Sequence, residues 1–281
     1  MSFTVIIKGG NQKDTGRNHS IYIDCMQKCD QRLPQCQYKC MWRTVDILLE
    51  QNKPIPQFGG RWPFIQLFNL QEPASFLFSM LNLFATVHCL HNFYHNWNVH
   101  ISRSDMFWPY MYFYKVATNA WFWSTVFHAY DFPFSEKMDY LSAALLVFYH
   151  VLLCTYRILI IRMRTFIIPF RTFSLLGILT YACWILLFPI DYDTNMLVIS
   201  CIAGANIISW SIWSILNWKI HRKLSIKCLI AILSVAAVSP LELFDFPPLF
   251  FIFDAHSLWH LGTIVFPYLW LEFIIEDCLY Y

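Results

Sequence analysis

Seven stretches of the chain stay apolar long enough to cross a bilayer as helices: about 74–92, 107–128, 139–160, 166–188, 195–216, 226–243 and 257–275, a spanning helix needing roughly 20 such residues. About 70 residues before the first stretch are polar enough to lie in water, and no internal repeat is present. Pro and Gly fall mostly at edges, as in Phe132-Pro133 and Pro247-Pro248, and Pro240 is expected to kink the sixth span. The pattern predicts an all-α membrane protein: a seven-transmembrane helix bundle over 73–281 behind a short N-terminal segment, 1–72.

Basic residues orient the bundle. Arg157, Arg162, Arg164 and Arg171 lie between spans three and four, and Lys219, Arg222, Lys223 and Lys227 between five and six. The alternate loops carry Asp131, Glu136, Asp191, Asp193, Asp245 and Asp254, with Lys137 their only cation. Short loops rich in Lys and Arg stay cytoplasmic. The N-terminal segment and the acidic loops are therefore expected in the lumen, and the C-terminus in the cytoplasm. A translocated N-terminus ordinarily follows a signal peptide, and residues 1–20 lack a basic region before an apolar one. The first span is thus expected to insert with its N-terminus outward, unless further sequence precedes residue 1.

Composition narrows the class. The 281 residues are 57% hydrophobic and 14% charged, against about 25% charged in soluble domains. A soluble enzyme, a disordered chain and a coiled coil are excluded. A formal charge of +2 gives no reason to expect a nucleic-acid partner.

Six of the ten cysteines (Cys89, Cys154, Cys183, Cys201, Cys228, Cys278) fall in or beside spans, where they read as small apolar filler. The others form Cys25-x3-Cys29 and Cys36-x3-Cys40. Structural zinc spacing fits this pattern only loosely. In an oxidising lumen two disulfides are expected, with three connectivities open. Asn18-His19-Ser20 is a glycosylation sequon on the same side.

Two histidine groups compete for a chemical role. His88, His91, His95 and His100 gather at the cytoplasmic end of span one, with only Asp105 as a nearby carboxylate, and read as residues of the headgroup region. The second group is dispersed in sequence and converges by topology. Ser124 and His128 lie four apart at the luminal end of span two, Asp139 starts span three, and His256 and His260, again four apart, open span seven. Singly each has a structural reading: a backbone-bonded serine, a solvated aspartate, a core histidine. Together they place five polar side chains at one depth, where ionisable groups are costly and usually functional.

Three histidines suffice to hold a catalytic Zn2+ and leave a position for water. Zinc lowers the pKa of that water to about 7. Asp139 then reads as general base and acid, and Ser124 as a donor to water or to a developing oxyanion. The chemistry is metal-assisted hydrolysis of a lipid ester or amide at the bilayer surface.

At these residues a family becomes recognisable. The run Asn119 to His128, the stretch Glu136 to Tyr140, and the segments Leu241 to Leu249 and Asp254 to His260 resemble the post-GPI attachment to proteins factor 3 family. Tyr38 to Trp42, Pro56 to Phe58, Trp62 to Phe64 and Gln71 to Ser75 support the likeness, which covers roughly residues 20–281. That family belongs to the CREST superfamily of seven-helix membrane hydrolases, which also holds the alkaline ceramidases. The resemblance implies a GPI-specific phospholipase A2 that removes the unsaturated sn-2 acyl chain from GPI-anchored proteins in Golgi or endoplasmic reticulum membranes. It assigns the superfamily's serine to Ser124, its aspartate to Asp139 and its metal histidines to His128, His256 and His260. Two alternatives stand beside it: a ceramidase-like lipid amidase using the same residues, and a non-catalytic seven-helix receptor or chaperone with a structural metal. A structural clamp has no need of Ser124 and Asp139.

Overall fold

The computed structural model describes residues 6–7, 16–29, 34–95, 99–189 and 192–280. Helices dominate. A two-residue strand β1 (Ile6–Ile7) is followed by α1 (Ser20–Gln27) and α2 (Pro34–Glu50). The bundle then runs through α3 (Pro73–His95), the short α4 (Val99–Arg103), α5 (Phe107–Ala129), α6 (Pro133–Arg162), α7 (Ile167–Leu187), α8 (Tyr192–Asn217) and α9 (Arg222–Leu243). A strand β2 (Phe244–Asp245) and two successive helices, α10 (Ala255–Thr263) and α11 (Phe266–Tyr280), complete it. The two strands pair antiparallel, Ile6 opposite Asp245 and Ile7 opposite Phe244.

Among the described residues six helical segments are long and apolar enough to cross a membrane, Ala255–Tyr280 counting as one; the chain is a multi-pass membrane protein. The sequence pattern predicts seven. The difference is α5, whose 23 residues equal α3 in length. Lys115, Asn119, Ser124 and His128 interrupt its aromatic surface. The helix nevertheless packs along both α3 and α6. Pro240 is accommodated inside α9, which continues to Leu243.

The N-terminal segment folds as a small module. Cys25 bonds Cys40 and Cys29 bonds Cys36, with Cα separations of 5.6 and 6.1 Å. This nested pairing joins α1 to α2 as an antiparallel hairpin. Tyr22, Val45 and Phe58 are buried around the cystines, and the Trp42 ring meets Phe251 edge-on at 5.0 Å. Phe251 belongs to the loop between β2 and α10, so the module sits on that loop. Asn18 lies exposed in the turn before α1.

The main core lies at the far end of the bundle, where Tyr110, Trp210, Trp270 and Phe273 are fully buried. Inside it Arg157 grips Asp277 through Nε and Nη2 at 2.8–3.1 Å, and the Tyr110 hydroxyl donates to the same carboxylate at 2.8 Å. Arg157 and Asp277 are both 0% exposed.

Candidate active site

The site is built at the ends of helices. Pro133 starts α6, and the Phe132 N–H donates to Ser135 Oγ at 3.0 Å. This abrupt start brings Asp139 within two turns of the end of α5. Asp254 caps α10 reciprocally: the Ser257 N–H donates to Asp254 Oδ1 at 2.9 Å, and the Asp254 N–H to Ser257 Oγ at 3.0 Å. The cap fixes the rotation of α10, and the four-residue spacing puts His256 and His260 on one face. Gly262 lets α10 lie against α9; a Cβ there would come within 2.5 Å of Val238 Cγ1.

Three imidazoles meet at one point. His128 Nε2 lies 3.1 Å from His260 Nε2 and 3.3 Å from His256 Nε2, and the latter pair is 2.9 Å apart. His128 and His260 are buried and His256 is half-buried. On the opposite edges, His128 Nδ1 donates to Glu72 Oε2 at 2.8 Å and His256 Nδ1 to Glu242 Oε2 at 2.7 Å. A carboxylate only accepts, so each Nδ1 carries the hydrogen and each Nε2 presents its lone pair inward. Converging lone pairs repel unless a cation or proton lies between them. Zinc–nitrogen bonds of about 2.0–2.1 Å in a tetrahedral shell put ligand nitrogens roughly 3.3 Å apart, near the observed spacing. Carboxylates behind the histidines are the usual outer shell of such ions. The donor set therefore fits a tetrahedral, nitrogen-ligated metal.

The third histidine is held differently. His260 Nδ1 is buried without a hydrogen-bond partner among the described residues. Its backbone is tied instead: Asn82 Nδ2 donates to the His260 carbonyl at 2.7 Å, and Thr263 Oγ1 donates to the same oxygen at 2.9 Å. Trp121 and Trp259 pack against its ring, with centroids 5.4 and 4.9 Å away.

Ser124 is buried one turn before His128, and its Oγ lies 2.9 Å from Ser79 Oγ on α3. Asp139 is half-buried and within electrostatic reach of His128 and His256. Glu72 stands just outside α3. Burial alone raises its carboxyl, but the facing His128 ring and the Arg61 guanidinium pull it down to about 2, so it remains a carboxylate.

The structure thus gathers His128, His256 and His260, with Ser124 one turn before His128 and Asp139 within electrostatic reach of two of the rings. Glu72, Glu242, Ser79 and Asn82 escape the sequence reading of single residues, although Glu72 and Glu242 lie inside the stretches that carry the family resemblance. The four N-terminal cysteines are grouped too, and Cys29, Cys36 and Cys40 lie close enough to share an ion. Their pairing as disulfides removes the thiolates that an ion needs. The other histidine group lies along the C-terminal part of α3. His88 Nε2 lies 2.9 Å from Asn92 Nδ2, and the His91 and His95 rings are 4.1 Å apart; the His100 side chain lies outside the described residues.

The Per1-like family model matches residues 22–278. GPI-specific phospholipase A2-like PGAP3 of Cricetulus griseus is 34% identical over 307 residues, covering 100% of this chain and 93% of the relative. Its Homo sapiens counterpart is 33% identical, covering 94% and 89%. Post-GPI attachment to proteins factor 3 of Drosophila melanogaster is 34% identical, covering 88% and 74%. No solved structure matches the chain.

Proposed function

The chain belongs to the Per1-like family, and on that premise we propose that it remodels GPI anchors as a membrane-embedded hydrolase, cleaving the sn-2 acyl ester of GPI-anchored proteins. The carrying observation is the convergence of three Nε2 atoms within 3.3 Å, two of their rings braced by carboxylates. The names of the relatives, GPI-specific phospholipase A2-like and post-GPI attachment to proteins factor 3, support the substrate.

His128, His256 and His260 hold the metal, proposed to be zinc, with Glu72 and Glu242 orienting two of the rings. Zinc bound there supplies Lewis acidity that makes hydroxide accessible near neutral pH. Asp139 accepts the proton of the attacking water and returns it to the departing glycerol oxygen. Ser79 donates its hydroxyl hydrogen to Ser124 Oγ, which leaves the Ser124 hydrogen free for the developing oxyanion.

In this reading α5 also crosses the bilayer, giving seven spans. Residues 1–72 form the luminal segment and 73–281 the hydrolase domain. The acidic loops and the histidine site face the lumen of the Golgi or endoplasmic reticulum, and the C-terminus faces the cytoplasm, an orientation that the distribution of Lys and Arg supports. Asn18, exposed before α1, is then available for glycosylation, and the site meets lipid ester groups at the membrane surface.

The test is expression in cells lacking this activity, with mass spectrometry of the anchor on a GPI-linked reporter. Wild type restores remodelled anchors, and His128→Ala and Asp139→Ala do not. Full restoration by either variant sinks the hydrolase mechanism. Zinc content that survives joint replacement of His256 and His260 sinks the metal assignment.

A further inference from the structure

Arg61 reaches the histidine end from outside the bundle. It closes the two-residue turn Gly59-Gly60, whose φ angles of +64° and +80° suit glycine. The Phe58 N–H donates to the Arg61 carbonyl at 2.7 Å, and the Arg61 N–H returns to the Phe58 carbonyl at 3.4 Å. Phe58 packs on Tyr22 with ring centroids 5.5 Å apart, inside the core stapled by the two disulfides. The turn that carries Arg61 is therefore anchored to the N-terminal module.

Three carboxylates from three segments surround the guanidinium. Arg61 Nη1 is paired with Asp131 in the α5–α6 turn and lies 4.0 Å from Glu72 Oε1; Nη2 lies 3.8 Å from Glu136 Oε1 in the first turn of α6. The group also sits 5.0 Å over the Phe127 ring, next to His128. The backbone joins the same parts: the Glu72 N–H donates to the His128 carbonyl at 3.1 Å, and the Asp131 N–H to Gln71 Oε1 at 2.8 Å. An arginine outnumbered three to one by carboxylates is a poor receptor for a further anion. It is well placed to neutralise them.

We propose that Arg61 is a positioning residue for the metal centre: it holds Glu72 and Asp131 together so that Glu72 keeps the His128 ring aimed at the ion. The proposal rests on the metal-centre reading above. Without the guanidinium, three like charges face one another and Glu72 is free to swing away from Nδ1. The His128 ring then loses the partner that fixes its tautomer and direction. The module thereby forms part of the outer shell of a site whose ligands all lie in the bundle.

The full-length protein, purified in detergent and loaded with zinc or cobalt, provides the test. Metal release to a chelator and the visible spectrum of the cobalt form are compared for wild type, Arg61→Ala, Arg61→Gln and Arg61→Lys. Arg61→Gln keeps the stem that packs over Phe127, so it bypasses a folding defect of the alanine variant. Both neutral variants are expected to release metal about tenfold faster, at the low end of outer-shell effects, with a shifted cobalt spectrum. Arg61→Lys should recover part of each. A neutral variant with wild-type release and an unchanged spectrum overturns the proposal, as does a lysine variant no better than glutamine. Wild-type protein that binds no metal sinks the metal-centre reading instead, so the two failures are distinguishable.

Discussion

Two polar clusters lie at opposite ends of α5, and the bundle treats them differently. Tyr110 and His128 are 18 residues apart in one helix, about 27 Å at 1.5 Å per residue. At the Tyr110 end, the Arg157 guanidinium and the Asp277 carboxylate are paired, wholly buried and enclosed by Trp210, Trp213 and Trp270. Opposite charges meet there, and the carboxylate of Asp277 is engaged by Arg157 and Tyr110 together. At the His128 end, three ring nitrogens of the same kind converge, and the hydrogen bonds to Glu72 and Glu242 turn the lone pairs of His128 and His256 inward. The first cluster is closed and the second points at a ligand. Burial and polarity alone do not separate them; complementarity does.

Removing one partner from each cluster separates the two most strongly. Asp277→Ala leaves Arg157 as an uncompensated buried charge and should cost about 3–5 kcal/mol, read as a lower unfolding midpoint in detergent and a lower folded yield. Unchanged stability would break the comparison. Replacing His256 and His260 together should instead spare the metal-free fold and abolish anchor remodelling.

Ser124→Ala comes next. As an oxyanion donor it should lower the rate about 10²–10³-fold while zinc content stays at the wild-type value. Loss of metal along with the rate would move Ser124 from chemistry to scaffolding. Glu72→Gln and Glu242→Gln should each weaken metal affinity by about 10–100-fold, measured by competition with a chelator; equal effects would rank the two braces alike. Ser79→Ala, which removes one neutral hydrogen bond to Ser124, should cost about 1 kcal/mol, roughly fivefold in rate. A loss as large as that of Ser124→Ala would make Ser79 the principal donor.

Much of this was legible in the sequence. Long apolar runs located six spans, the four-residue spacings of Ser124 with His128 and of His256 with His260 set their faces, and short connections brought α5 and α6 together. Glu72 was hidden because an acid in a polar linker looks the same whether it is solvated or bonded to a ring 56 positions away. Ser79 and Asn82 were hidden because small and amide side chains in a membrane helix ordinarily bond within it, and only the approach of α5 and α10 gives them other partners. The cysteine pairing needed the antiparallel hairpin of α1 and α2, which makes the outer pair Cys25–Cys40 and the inner pair Cys29–Cys36.

The coordinating nitrogens are split between residue 128 and residues 256 and 260, more than a hundred positions apart. A nascent chain whose first three long helices have already entered the bilayer holds only one of the three imidazoles proposed to bind the ion. Only when the segment at 255–263 leaves the ribosome and swings in against α5 can the ion be gripped, and the free energy of gripping it then favours the assembled bundle. If the proposed metal-dependent hydrolysis is correct, a half-inserted chain is catalytically silent, and the surrounding lipids are spared its activity until folding is complete.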